Sequence, residues 1–204
     1  MTMLIENPWL EEQLKEQRRA LGVDQHDEVW EGVYFVAPPA DNQHQEFVAG
    51  LLFALYDVVN AAGLGTVFPG VNLAGTSEDW TYDYRAPDVV VILAAGEAED
   101  RQTHFRGAAD FVVEITSPGD RTYEKIPFYS RQGVRELLIV NRQSWTLELY
   151  RNQGNGLEKA GESETQRGDV LPSSVLPLEF RLLPGPPRPQ IEVTHVETRR
   201  QWMV

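Results

Sequence analysis

Two short runs constrain this chain more than any other feature: PDVVVIL at residues 87–93 and ADFVVEITS at residues 109–117. Successive side chains of a strand point to opposite faces, so a strand that is apolar at nearly every position must be covered on both sides. A sheet with one face in water cannot hold such runs. A mixed β-sheet flanked by helices, an α/β arrangement, can. The same alternation puts Asp88, Val90 and Ile92 on one face of the first run. In the second it puts Asp110, Val112, Glu114 and Thr116 together, with Glu114 between the apolar Val113 and Ile115.

The rest of the chain supplies the coverings. WLEEQLKEQRRALG, residues 9–22, has acids early, arginines late and a terminal glycine, which predicts a helix. EVWEGVYFVAPP reads as one strand closed by Pro38 and Pro39. From Asp41, apolar Phe47, Leu51, Leu52, Leu55, Val58 and Val59 mark one face of a longer helix that stops at Gly63. Short β-type stretches follow, interrupted at YEKIPFYSRQG by a predicted short helix. TSEDW reads as a solvated turn. PGPPRP, residues 184–189, should be extended and stiff. The expected organisation is an N-terminal helical extension over 1–30, one globular domain over 31–183, and a Pro-rich linker with a tail over 184–204. The tail's Arg199, Arg200 and Trp202 either fray or dock on a partner subunit.

Composition removes several classes of function. There is no cysteine, which excludes disulfides, thiolate metal sites and cysteine nucleophiles. No apolar run approaches the roughly 20 residues of a membrane helix, and MTMLIENPWLEEQ lacks the features of a secretory signal, so a cytoplasmic protein is expected. The histidines at 26, 44, 104 and 195 are scattered and Ser117-Pro118-Gly119 is a turn signal, so no serine triad can be argued. The net charge of −13 speaks against tight, non-specific DNA binding. Near Glu114, however, Arg121, Lys125, Arg131, Arg135 and Arg142 outnumber Glu124 and Glu136, which predicts a local basic surface.

Glu114 carries the chemistry. An isolated carboxylate inside a buried strand costs several kcal/mol unless it is paired, protonated or bound to a cation. Two acids on neighbouring strands, Asp88 and Glu114, would be relieved by a hard divalent ion such as Mg²⁺, and Lys125 is the nearest lysine that could act beside it. The alternative is an ion pair of Glu114 with Lys125 or an arginine, with no metal.

These pieces resemble the Uma-two family of putative restriction endonucleases, a branch of the PD-(D/E)XK nuclease superfamily. The similarity runs from about Glu31 to Leu183 through EGVYFV, HQEFVAGLL, APDVVVI, FVVEITSPGDRTYEK, FYSRQGVRELLIVN and LPSSVLPLEF. It implies a restriction-endonuclease-like fold with Asp88 and Glu114 as metal-binding acids. It also implies that Lys125 replaces a lysine usually found two residues after the glutamate, where this chain has Thr116. It further implies a helix-borne metal ligand, for which Glu46 is the acid at hand, and a helix-start histidine, His44. The expected activity is Mg²⁺- or Mn²⁺-dependent hydrolysis of DNA phosphodiesters by a homodimer. The alternative is an inactive nuclease-fold protein that binds a partner or ligand in the same cleft.

Overall fold

The computed structural model describes residues 3–4, 8–75 and 77–204. Its centre is a six-stranded sheet in the order Leu157–Glu164, Thr146–Asn152, Glu136–Asn141, Phe111–Ile115, Val89–Leu93, Gly65–Pro69. Only Phe111–Ile115 and Glu136–Asn141 run parallel; every other pair is antiparallel, so the sheet is mixed. The two apolar runs lie side by side in it, Val112 opposite Val90. Both faces are covered, as those runs require.

One face carries Val89, Val91, Phe111, Val113, Leu138 and Leu149. It packs against Phe47, Leu51, Leu55 and Val58 of the long helix, α2 (Asn42–Val59), which follows α1 (Pro8–Leu21) in the chain. Asp41 caps α2 by accepting the His44 N–H at 2.8 Å. The other face carries Val90, Val112, Leu137 and Ile139 and packs against Phe128 and Tyr129 of α3 (Ile126–Arg131). That helix belongs to the crossover between the two parallel strands. Pro127 sits in its first turn, where a missing N–H costs nothing, and a 3-10 turn over Thr122–Lys125 leads into it.

Two expectations change. EVWEGVYFVAPP is a hairpin, Glu28–Trp30 paired with Val33–Val36, because Glu31 and Gly32 both adopt positive φ (50° and 86°) and turn the chain in two residues. Gly32 suits that conformation, and a side chain there would also have to displace the exposed Tyr82 ring, 2.7 Å away. The hairpin belongs to a second sheet of short strands that includes Tyr84–Arg85.

The residues beyond the Pro-rich run are not a tail. Gln190–His195 and Gln201–Met203 pair antiparallel with one another and with Leu178–Leu183, forming a third sheet. Its Phe180, Ile191, Val193 and Trp202 join the core beneath α2, and the Trp202 indole N–H donates to Asp57 at 3.2 Å. Burial of those alternating apolar side chains outweighs the stiffness of the linker before them.

Among the described residues no helix is long and apolar enough to cross a membrane.

Candidate active site

The register that sets Val113 opposite Val89 sets Asp88 opposite Glu114 one step further on. Both acids face the α3 side of the sheet, as strand alternation requires. The Ile115 N–H donates to one Asp88 oxygen at 2.7 Å, and the His44 imidazole Nε2 lies 3.2 Å from the other. The first turn of α2 thus delivers a histidine to the sheet end. Arg142 holds that turn in place: it donates to the Thr116 carbonyl at 2.7 Å and pairs with the capping Asp41 at 2.7 Å.

Glu114 is 3% exposed and accepts three hydrogen bonds from two donors. The Lys125 ammonium is 3.0 and 3.1 Å from its two oxygens, and the Tyr129 hydroxyl donates to it from one α3 turn away. Lys125 is also 2.8 Å from Glu28, whose carboxylate accepts the Ala86 N–H at 3.0 Å and the Trp30 indole N–H at 2.7 Å. One ammonium therefore serves two buried acids, with Asp88 close by. The imbalance shows in their proton affinities. Burial pushes Glu114 up to about 8; Lys125 opposes this, while Asp88 and Glu28 add to it. Burial pulls Lys125 down, but Glu114 and Glu28 outweigh it and hold the ammonium above its ordinary value. Burial likewise lowers His44, and Asp88 more than offsets it, leaving the imidazole raised.

Asp88, Glu114 and Lys125 are thus brought together, and Glu46 is not. Its side chain is 66% exposed and pairs with Arg188 at 3.4 Å. Helix geometry gives the reason: two residues past His44 means a rotation of about 200°, to the opposite side of α2. The acid that does reach the site is Glu28, from the hairpin, and Tyr129 is its second unforeseen member. The Glu31-Gly32 pair was the available signal for a hairpin, whose first strand carries Glu28 and pairs on its other edge with Tyr84–Arg85, next to Ala86. The local basic surface is also changed by folding. Arg121 pairs with its neighbour Glu124, while Arg131 pairs with Glu31, Arg135 with Asp110 and Arg142 with Asp41, so acids from elsewhere in the chain neutralise three of the five cations.

The donor set is all oxygen and nitrogen, with two facing carboxylates and no thiolate, and it suits a hard divalent ion that keeps water in its shell. Among the described residues no three His, Asp or Glu side chains form a ready cage. Asp88 and Glu114 would be the protein's share.

A mixed sheet covered on both faces and bearing these groups at one end is the restriction-endonuclease-like nuclease fold. The crystal structure of a putative nuclease from Anabaena variabilis is similar to it, with a TM-score of 0.59 and 16% identity over 72% of this chain and 80% of that one. The chain belongs to the Uma2 family, described as putative restriction endonuclease, whose profile matches residues 12–185. No curated protein matches.

Proposed function

We propose that this chain is a Mg²⁺- or Mn²⁺-dependent endonuclease that hydrolyses DNA phosphodiesters, with Asp88 and Glu114 as metal-binding acids and Lys125 as the catalytic cation. The observation that carries the reading is the convergence of these three side chains at one end of the sheet, from two strands and the crossover between strands. When bound, a divalent ion supplies Lewis-acid polarisation of the phosphate and a more acidic water. The remaining work falls to the protein. The Lys125 ammonium stands where it can offset the negative charge that builds on a phosphate under attack. Tyr129 and Glu28 fix the positions of Glu114 and Lys125, and His44 orients Asp88.

The test is incubation of the purified protein with supercoiled DNA at low salt in Mg²⁺ or Mn²⁺, beside Asp88→Ala and Glu114→Ala. Nicking by the parent and by neither variant is the expected result. Nicking that survives both substitutions would refute the site.

One observation favours a second reading, a non-catalytic nuclease-fold binding module: Lys125 already satisfies both oxygens of Glu114 without a metal. Calorimetric titration with Mn²⁺ separates the two. A catalytic site binds the ion and loses it in Asp88→Ala and Glu114→Ala, whereas a sealed ion pair gives no heat in any of them.

A further inference from the structure

A pocket of about 270 Å³ opens beside the hairpin and the start of α3, walled by Trp30, Phe35, Pro127 and Phe128 together with Arg85 and Arg131. It adjoins the candidate active site on two sides. The Trp30 indole N–H donates to Glu28, the acid that shares Lys125 with Glu114, and Phe128 precedes Tyr129, which donates to Glu114 itself. Arg85 is 3% exposed, and its guanidinium lies 4.4 Å from the Trp30 ring centre and 4.2 Å from that of Phe128. Its Nη1 is anchored to the Val29 carbonyl at 2.9 Å and to Asp83 at 2.9 Å. Its buried Nε has no hydrogen-bond partner among the described residues.

The chemistry of these walls is selective. Flat apolar and guanidinium surfaces suit a planar ring. The charges are balanced, because Glu31 and Glu124 also line the pocket and Arg131 is paired with Glu31 at 3.2 Å. A free phosphate would meet two carboxylates and a cation already engaged; a heterocycle with both donors and acceptors would not be repelled. The volume lies below the roughly 300–1,000 Å³ of pockets for drug-sized ligands, which limits the occupant to about one ring system. We propose that this pocket receives a single nucleobase, unstacked from the DNA strand whose phosphodiester lies at Asp88 and Glu114. This inference rests on the proposed nuclease function.

The experiment measures binding of labelled single-stranded DNA 12-mers by fluorescence anisotropy, with Ca²⁺ in place of Mg²⁺. The intact oligomer is compared with a set carrying one abasic residue at each successive position. The expected result is one position whose abasic form binds the parent about ten-fold more weakly, as loss of a stacked base should. Two variants remove that difference. Trp30→Ala deletes a wall, and Val33→Trp, at a 38% exposed lining residue, plugs the pocket without disturbing the core. Equal binding of every abasic oligomer by the parent would overturn the inference, as would no binding of any oligomer, or a positional difference that persists in Val33→Trp. Nicking of supercoiled DNA is scored separately, so the nuclease reading stands or falls on its own result.

Discussion

Replacing Lys125 by methionine keeps most of the side chain's volume and removes its charge, which isolates what one ammonium does for the acids around it. Glu114 is 4% exposed at its side chain and Glu28 8%, and both lose their only cationic partner within 4 Å among the described residues. Removing one member of a buried ion pair costs about 3–5 kcal/mol when the other stays charged. The cost depends on pH through Glu114, whose folded value of about 8 stands above its ordinary 4.5. A group with a raised folded value contributes stability that is fully present below the unfolded value and is lost as pH rises through the folded one. In the parent, the Glu114 contribution to stability therefore falls between pH 4.5 and about 8, with a limiting slope of about 1.4 kcal/mol per pH unit for one proton. In Lys125→Met the opposing charge is gone and Glu114 moves higher still. Near pH 5 the Glu114 carboxyl is protonated in both proteins and its share of the difference is small; above pH 8 the parent's carboxyl ionises while the variant's stays protonated, and the difference widens with pH. Urea unfolding of both proteins at these two pH values gives the comparison directly. Adding Glu114→Gln to Lys125→Met should restore part of the loss at high pH, because the uncompensated carboxyl is then absent. A loss independent of pH, or a double variant no more stable than Lys125→Met at high pH, would refute the reasoning.

Three further outcomes are expected. Asp88→Asn removes the charge that raises His44 while leaving the imidazole buried, so its NMR titration midpoint should move from above the ordinary histidine value to below it. In the parent, the contribution of His44 to stability is present below its unfolded value and disappears as pH rises through the folded one. Tyr129→Phe leaves Glu114 one donor short in a buried site and should cost about 1–3 kcal/mol by urea unfolding. Gly50→Ala sets two effects against each other: helix propensity gains about 1 kcal/mol, but the new methyl would lie 2.5 Å from a Val204 methyl. Packing should win and the melting temperature should fall.

The features legible in the sequence were those that depend on alternation. The PDVVVIL and FVVEI runs announced a doubly covered sheet, and counting along each strand put Asp88 with Val90 and Glu114 with Val112; the register that sets Val112 opposite Val90 then makes those two faces one. What was not legible depends on where the chain reverses and on what it meets afterwards. The hairpin was hidden because EVWEGVYFV is rich in β-formers throughout, and the reversal rests on two residues with positive φ. Glu28 was lost with it. Glu46 was chosen as the acid at hand on the core helix, although the spacing of His44, Phe47 and Leu51 defines an inward face from which Glu46 is excluded. The C-terminal strands were masked by the prolines before them, even though Ile191 and Val193 alternate as a half-buried strand should.

Lys125 joins more than charges. Glu114 belongs to the central sheet and Glu28 to the sheet of short strands, so the ammonium between them is a rivet holding two layers together. Any ligand that competes for Glu114 loosens that rivet. Amide exchange across residues 28–36 should quicken when Mn²⁺ is added, and the same change should be absent in Lys125→Met, where the layers are already unfastened. Occupancy of the site and stiffness of the hairpin are then two readings of one equilibrium.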